Sequence, residues 1–176
     1  IVQTAKEHDL YILSDEIYDE YSNDDWRSIS IYGYEKSIIT MSFSKSYAMT
    51  GYRIGYAIAE PSIIEKMSKL QALSLTNVSE PIQYVALQAL KSKKSLLGNS
   101  EIIKSRLEVL VQSAKDIGLE FIEPDGAMYL FARTKHKNFD ATKFSEKLLE
   151  HGVAIAPGEG FGDYKEFFRI TAIDET

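Results

Sequence analysis

The sequence predicts an α/β protein in which a mainly parallel sheet with helices is followed by a small α+β domain. Two short apolar runs, 10–14 and 38–43, each lead into polar residues, as strands of a parallel sheet do. Helical stretches follow these runs, and the pattern changes after about residue 95 to include several short strands. We therefore expect two domains, residues 1–95 and residues 96–176.

The remaining elements of the first part are indicated by apolar patterning and by caps. A third strand is predicted at 52–59, close enough in sequence to the second run to return beside it. Ser62 and Glu65 have the spacing of a capping box and predict the start of a helix. Ser79 precedes a second helix, which is expected to run through Leu90.

The second part of the chain is predicted to mix helices with short strands. Ser100 can cap the longest helix, and Gly118 stands just past its end. Asp140 can cap a further helix, with Gly152 at its exit. Four short strands complete this part: 119–123, 128–132, 153–156 and 167–172.

Composition excludes several classes of function. With 20 basic and 26 acidic residues the net charge is −6, so we expect no broad attraction to nucleic acid or to anionic membranes. The absence of cysteine excludes disulfides, thiolate metal sites and cysteine nucleophiles, and it favours an intracellular protein. No apolar run is long enough to cross a bilayer and the start lacks a signal-peptide pattern, so the expected location is cytoplasmic.

Polar residues that follow the two apolar runs form the most specific pattern in the chain. In open α/β sheets, ligands bind beyond the carboxyl ends of the strands. An amine, an acid with a phenol, two hydroxyls and a guanidinium lie at or after the ends of these runs: Lys45, Asp15, Tyr18, Ser42, Ser44 and Arg53. These groups match an aldehyde, a protonated pyridine nitrogen, a ring hydroxyl and a phosphate. The pattern therefore predicts a site for pyridoxal 5'-phosphate.

Each candidate residue has an expected role in that site. Lys45 is the amine that would hold the aldehyde, and Asp15 is the acid that would keep the ring nitrogen protonated. Tyr18 follows Asp15 by three residues and can reach the ring hydroxyl. The phosphate would be held by the remaining donors: Ser42, Ser44 and Arg53.

At these residues the chain resembles the fold-type I pyridoxal-phosphate enzymes, and specifically the class I/II aminotransferases that include aspartate aminotransferases. The resemblance spans nearly the whole chain. It rests on five motifs: Ser14-Asp15-Glu16-Ile17-Tyr18, Ser42-Phe43-Ser44-Lys45 through Gly51-Tyr52-Arg53-Ile54-Gly55, Pro124-x-Gly126-Ala127-Met128-Tyr129, Ala156-Pro157-Gly158 with Phe161-Gly162, and Phe168-Arg169-Ile170.

The resemblance implies roles beyond those read from the residues. It implies that Lys45 forms the covalent link to the cofactor and moves the proton during transamination, and that Arg169 binds the α-carboxylate of the substrate. It also implies a homodimer with sites at the subunit interface. Members of that family are considerably longer than this chain, so the N-terminal half of the fold and a C-terminal segment are expected to be absent. We therefore expect this polypeptide alone to be inactive.

The implied reaction is transfer of an amino group between an amino acid, of aspartate or aromatic type, and a 2-oxo acid. Two alternatives share the motifs. One is another reaction on the same fold, such as a carbon–sulfur β-lyase. The other is a non-catalytic effector domain of a transcription regulator, because a fold alone does not fix a function.

Overall fold

The computed structural model describes residues 1–173, apart from the side chains of Lys93 and Ser95. The described chain forms two compact units, the first covering Ile1–Ser100 and the second beginning at Glu101. The assignment of these parts to a cofactor-binding domain and a small domain stays a prediction.

A three-stranded sheet organises the first unit. Its central strand runs parallel to the strand before it and antiparallel to the strand after it. The elements of this unit are α1 (Val2–Glu7), β1 (Ile12–Asp15), β2 (Ser37–Ser42), β3 (Gly55–Ile58), α2 (Pro61–Leu75) and α3 (Glu80–Leu90). The parallel pairing places the carboxyl ends of β1 and β2 at one edge of the sheet.

The predicted third strand does return beside the second, but it is shorter than expected. A 3₁₀ turn at Thr50–Tyr52 and a left-handed residue, Arg53 with φ 51°, delay the start of β3 to Gly55. A non-glycine residue in this conformation cannot continue an extended strand. The strand therefore begins only after the backbone has reversed.

The structure agrees with the predicted start of α3 and disagrees with the predicted start of α2. Ser79 is the N-cap residue of α3, as expected. The capping box at Ser62 is wrong, because α2 already begins at Pro61 with Glu60 as its N-cap and no capping hydrogen bond from a side chain. Proline is well suited to a first helical position, since its missing N–H has no partner there in any helix.

The two strands of the parallel pair, β1 and β2, differ in how far their side chains are buried. Ile39 of the central strand β2 is buried, whereas Leu13 of β1 is 70 % exposed. Among the described residues β1 has a neighbouring strand on one side alone, so it is an edge strand of this sheet. A buried cluster lies next to the turn after β2: Phe43, Met49, Ile54 and Ala86.

An antiparallel four-stranded sheet organises the second unit, in the order β4 (Glu120–Phe121), β5 (Tyr129–Arg133), β7 (Phe167–Thr171) and β6 (Ala156–Pro157). The long helix α4 (Lys93–Asp116) starts within the first unit and ends in the second. Helix α5 (Ala141–Glu150) lies between β5 and β6 in the sequence. The core of this unit includes Leu107, Val111, Leu130, Ala132 and Phe168.

The helix ends of the second part were predicted with mixed success. Asp140 caps α5, and its carboxylate accepts a hydrogen bond from the backbone N–H of Lys143 at 3.0 Å. Gly118 and Gly152 follow α4 and α5 with φ of 76° and 81°, as glycines after helices commonly do. Ser100 is not a cap, because α4 begins at Lys93 and Ser100 lies inside the helix. No helix in residues 1–173 combines the length and apolar character that crossing a membrane requires.

Candidate cofactor site

The carboxyl ends of β1 and β2 bring the predicted acid and the predicted amine to one edge of the first sheet. Asp15 is the last residue of β1 and pairs in register with Thr40 of β2. Ser42 ends β2, and Lys45 follows three residues later in the loop. Sequence reasoning predicted this edge because strand ends of a parallel pair coincide there.

Lys45 and Tyr18 lie close together at this edge. The ammonium nitrogen Nζ of Lys45 lies 6.0 Å from the centroid of the Tyr18 ring. This is the outer limit of a cation–π contact. Both side chains are half-buried, and within residues 1–173 the Lys45 ammonium has no ion pair. The amine is therefore near a phenol without being neutralised by a carboxylate.

Asp15 is oriented by a residue that sequence reasoning missed. The hydroxyl of Thr40 donates a hydrogen bond to Asp15 Oδ1 at 3.2 Å. Asp15 also lines an open cleft of about 660 Å³, together with Ser14, Glu16 and Arg27. The register of a parallel neighbour was the signal that could have found Thr40, because it stands directly opposite Asp15.

Glu16 holds the segment that follows Asp15. Its carboxylate is buried and accepts hydrogen bonds from the Ser14 hydroxyl and the backbone N–H of Ile29, each at 3.0 Å. Buried carboxylates need such partners, since an unpaired one is costly. Glu16 thus ties the end of β1 to the loop around Ile29, and no spacing in the sequence predicted this contact.

The predicted phosphate donors lie between the end of β2 and the start of β3: Ser42, Ser44 and Arg53. The hydroxyl oxygen of Ser42 accepts a hydrogen bond from the backbone N–H of Ser44 at 3.0 Å, so these two serines share one turn. Ser42 pairs in register with Gly55, two residues after Arg53. The Arg53 guanidinium is exposed and donates to the carbonyl of Thr50 at 3.0 Å, and no carboxylate in the described part of the chain neutralises it.

The two glycines on either side of Arg53 have different structural roles. A Cβ at Gly55 would lie 2.5 Å from the carbonyl oxygen of Met41 on the neighbouring strand. Gly51 has neither a nearby atom within 4 Å nor a positive φ. Gly55 therefore allows the close approach of β3 to β2, and the left-handed residue of this loop is Arg53 itself.

Several buried groups outside the motifs hold the loop that carries Lys45. The hydroxyl of Tyr21 donates to the main-chain carbonyl of Lys45 at 2.7 Å. The side-chain amide of Asn99 donates to the carbonyl of Ser46 at 3.1 Å. Ser46 is buried, and its own hydroxyl has no hydrogen-bond partner within the described residues. These residues lie far apart in sequence, so no local pattern indicated them.

Burial changes the acidity of the phenols near this loop. Desolvation raises the pKa of Tyr21, Tyr47 and Tyr56 above the ordinary 10.0. The rings of Tyr47 and Tyr56 lie 5.2 and 5.8 Å from that of Phe43, which explains the apolar surroundings. All three phenols are therefore protonated at neutral pH.

Arg169 belongs to the second unit, whereas the other six candidates belong to the first. Its guanidinium carbon lies 4.3 Å from the centroid of the Tyr129 ring and 4.6 Å from that of Phe161. Its Nε atom is buried and has no hydrogen-bond partner among the described residues. The rings hold the cation without occupying its hydrogen-bond donors, so the guanidinium can still receive an anion.

The donor set of the first unit fits pyridoxal phosphate. The Lys45 amine, which has no ion pair within residues 1–173, lies beside a phenol, and a carboxylate ends the adjacent strand. Hydroxyls follow in the same loop system, as does a guanidinium that no described carboxylate neutralises. The described residues contain no cluster of three or more histidine, cysteine or carboxylate side chains that could hold a metal ion.

Comparison with known proteins identifies the family of the chain. The sequence model of the aminotransferase class I and II family matches residues 1–176. The chain belongs to this family. Its fold is accordingly part of the fold-type I architecture of these pyridoxal-phosphate enzymes, with mixed α/β content.

Two curated members of the family illustrate the range of named activities. The aspartate aminotransferase of Pyrococcus abyssi is 38 % identical over 97 % of this chain, which covers 46 % of that relative. The aromatic-amino-acid aminotransferase 2 of Thermococcus litoralis is 34 % identical, with 97 % of this chain and 46 % of the relative covered.

A solved structure of the family shows the same fold. The crystal structure of aspartate aminotransferase from Thermotoga maritima superimposes with a TM-score of 0.87 and 36 % identity. It covers 97 % of this chain, and the match takes in 45 % of the Thermotoga protein. The chain thus spans a little under half the length of the family members it matches. In general terms the family implies pyridoxal phosphate, with amino acids and oxo acids as substrates.

Proposed function

We propose that this chain is part of a pyridoxal-phosphate-dependent aminotransferase that exchanges an amino group between an amino acid and a 2-oxo acid. The observation that carries the proposal is the placement of the Lys45 amine beside the Tyr18 ring, at the sheet edge where Asp15 ends its strand. Family membership supports the reaction class. The relatives named for aspartate and aromatic amino acids support an amino acid of either type as substrate.

The residues of the first unit would hold the cofactor and move the proton. Pyridoxal phosphate, when bound, supplies an electron sink for negative charge at the α-carbon of the substrate. Lys45 Nζ would hold the cofactor's aldehyde and act as the base that moves the proton. The Asp15 carboxylate, oriented by Thr40, would keep the ring nitrogen protonated. Tyr18 would donate to the ring hydroxyl.

The phosphate would be bound by the turn that contains Ser42 and Ser44 and by Arg53. Ser42, Ser44 and Arg53 offer hydroxyl and guanidinium donors, and the guanidinium carries a charge that no described carboxylate offsets. Paired guanidinium donors suit a phosphate, because two parallel hydrogen bonds fix its orientation.

Substrate binding falls to Arg169, which would clamp the α-carboxylate. The two rings that flank its guanidinium restrict its orientation, and its buried Nε is available as a donor. A planar, bidentate donor is well suited to a carboxylate.

We also propose that the whole protein is a homodimer and that it is located in the cytoplasm.

Replacing Lys45 by alanine in the full-length protein tests the proposal. We expect transamination to fall more than about 100-fold, because the general base and covalent attachment are lost together. Borohydride reduction followed by peptide mapping should fix the cofactor on Lys45 in the wild type and not in this variant.

Lys69→Ala is a matched control, since Lys69 is an exposed lysine of α2 in an ion pair with Glu65. It should retain activity and cofactor. Appreciable residual transamination in Lys45→Ala contradicts the role given to Lys45. Pyruvate release from cystathionine without an oxo-acid acceptor would instead indicate a β-lyase.

A further inference from the structure

We propose that Tyr21 is a positioning residue that sets the orientation of Lys45 through its main chain, an inference that rests on the proposed function. Tyr21 lies outside the segment that carries Lys45, 24 residues earlier in the chain. Its side chain is 3 % exposed, and its hydroxyl donates to the Lys45 carbonyl oxygen at 2.7 Å. The residue does not reach the reacting atoms and acts through Lys45 alone.

Two hydrogen bonds to the main-chain carbonyl of Lys45 hold the loop that carries this residue. Lys45 lies in the lysine turn, which we define as residues 43–49, outside any helix or strand. The backbone N–H of Ala48 also donates to the Lys45 carbonyl, at 2.9 Å. A carbonyl oxygen has two lone pairs, so Tyr21 and Ala48 together satisfy it. The peptide plane after Lys45 is thereby held, and with it the direction in which the lysine side chain leaves the backbone.

The 3₁₀ turn at Asp19–Tyr21 brings both Tyr18 and Tyr21 close to Lys45. The backbone N–H of Tyr21 donates to the carbonyl of Tyr18 at 2.9 Å, which closes this turn. Side chains three residues apart are aligned on one side of a 3₁₀ helix. Accordingly the Tyr18 ring lies near Lys45 Nζ, and the Tyr21 hydroxyl binds the Lys45 main chain. One turn thus sets the amine relative to the phenol beside it.

Two residues of α4 bind the two segments that the Tyr21–Lys45 hydrogen bond joins, the 3₁₀ turn and the lysine turn. Asn99 donates to the carbonyl of Ser46 in the lysine turn at 3.1 Å. The hydroxyl of the next residue, Ser100, donates to the carbonyl of Glu20 in the 3₁₀ turn. Two adjacent residues therefore link the two segments that the Tyr21 hydrogen bond also joins. This closed set of contacts leaves the Tyr21 hydroxyl little freedom to move away from Lys45.

The chemistry of the phenol suits a permanent donor. The Tyr21 side chain is surrounded by protein, and this burial raises its pKa above the ordinary 10.0. A protonated phenol can donate to a carbonyl, whereas a phenolate cannot. Replacement by phenylalanine removes one oxygen and keeps the ring, so the packing contribution and the positioning contribution can be separated.

The test uses Tyr21→Phe in the full-length protein, with Tyr34→Phe as the matched control. Tyr34 is also in the first unit, and its hydroxyl donates to the carbonyls of Leu10 at 2.7 Å and Ala5 at 3.2 Å, away from the candidate site. Both variants therefore lose a phenol-to-carbonyl hydrogen bond. Similar decreases in thermal stability are expected for the two, so stability alone does not distinguish them.

Three readouts distinguish positioning from packing. In the protein without cofactor, Tyr21→Phe should speed amide hydrogen exchange in the lysine turn, 43–49, whereas Tyr34→Phe should not. With cofactor bound, Tyr21→Phe should shift the pH midpoint of the cofactor's absorption band. It should also lower kcat about 3- to 10-fold, the effect of one lost hydrogen bond, while KM for the amino acid stays within about twofold.

Equal exchange rates, pH midpoints and kcat values in the two variants would overturn the positioning role. If wild type loads no cofactor, the proposed function fails and this inference falls with it; if wild type loads cofactor and the variants behave alike, the positioning role alone fails. Should Tyr21→Phe not fold, Asn99→Ala frees the adjacent Ser46 carbonyl with the phenol intact. With the phenol in place, the Ala48 amide, which bonds the Lys45 carbonyl, should exchange as slowly as in wild type, and faster exchange there would count against the inference.

Discussion

Arg169 and Arg133 show how the surroundings of a single side chain decide what it can bind. Both arginines lie over aromatic rings in the second unit, Arg169 near Tyr129 and Phe161, and Arg133 over Phe167 at 5.3 Å. Arg133 donates from Nε to Glu120 at 3.0 Å, whereas the Nε of Arg169 has no partner in the described structure. An arginine without a carboxylate partner can accept an anion without first breaking an ion pair.

We expect Arg169→Lys in the full-length protein to raise KM for both amino acid and oxo acid about 10- to 100-fold, because a charged bidentate hydrogen bond is lost. Steady-state kinetics with both substrates measure the effect. Arg133→Lys is the control, since it changes an equivalent side chain whose ion pair is half-exposed and worth little. An unchanged KM in Arg169→Lys would contradict the proposal that Arg169 binds the α-carboxylate of the substrate.

The candidate residues themselves were predictable from sequence to different extents. Asp15, Ser42 and Lys45 follow apolar runs that do form strands, so local pattern was sufficient to place them at strand ends. Thr40 and Tyr21 contact two of these residues across the fold, at separations of 25 and 24 residues. Such contacts depend on register and on how turns are packed, and neither is encoded in a local pattern.

At the scale of elements, the helix starts at Ser79 and Asp140 were predicted correctly, whereas those at Ser62 and Ser100 were not. Asp140 bonds the N–H of Lys143 and was predicted from residue type and position. At α2 a proline begins the helix without a capping side chain, and the serine expected to cap it lies inside. A capping sequence is a preference, and an earlier helical start overrides it when the backbone allows one.

The Asp140 cap makes a prediction about acid stability. The hydrogen bond from Lys143 lowers the pKa of Asp140 below the ordinary 3.8. A carboxyl whose pKa is lower in the folded state contributes stability above its unfolded pKa, and that contribution is lost as pH falls through the folded value. We therefore expect wild type to lose its stability advantage over Asp140→Asn progressively as pH falls below the ordinary carboxyl pKa of 3.8.

Thermal unfolding followed by circular dichroism between pH 7 and pH 2 tests this expectation. Asn keeps a capping oxygen but cannot titrate, whereas Asp140→Ala should lower Tm at neutral pH because it removes the cap altogether. Asp125→Asn changes an exposed turn aspartate and serves as the control. A constant difference in Tm between wild type and Asp140→Asn at all pH values would contradict a role for the charge.

At the scale of the whole molecule, much apolar surface is exposed in the described chain. Leu13 of β1 and Leu73 of α2 are 70 % and 86 % exposed, and Ile58 of β3 and Leu75 are also exposed. The chain spans less than half the length of its matched relatives. Large exposed apolar areas usually mark surfaces that another part of a protein or a partner covers.

We therefore predict that the 176-residue polypeptide alone has no measurable transaminase activity and self-associates. Light scattering measures the association, and a coupled oxo-acid assay measures the activity, with the full-length protein as control. The physical reason is that exposed apolar side chains of this kind associate in water. A monodisperse monomer that binds pyridoxal phosphate and turns over substrate would contradict the prediction.

The sequence by itself determined the chemical groups and the order of strands and helices around them. Apolar runs followed by Asp15 and by Ser42 through Lys45 are local features, and local pattern fixes which residues end a strand. The same holds for Asp140 as a helix cap, because its capping bond spans three residues.

The tertiary structure alone decided which groups meet. The register between β1 and β2 put Thr40 opposite Asp15, and packing of the 3₁₀ turn against the lysine turn put Tyr21 on the Lys45 carbonyl. It also gave the left-handed conformation to Arg53 and placed the Arg169 guanidinium between two rings, with no partner for its Nε among the described residues. These outcomes depend on contacts between residues distant in sequence, whose free energies are settled by packing and hydrogen bonding across the fold.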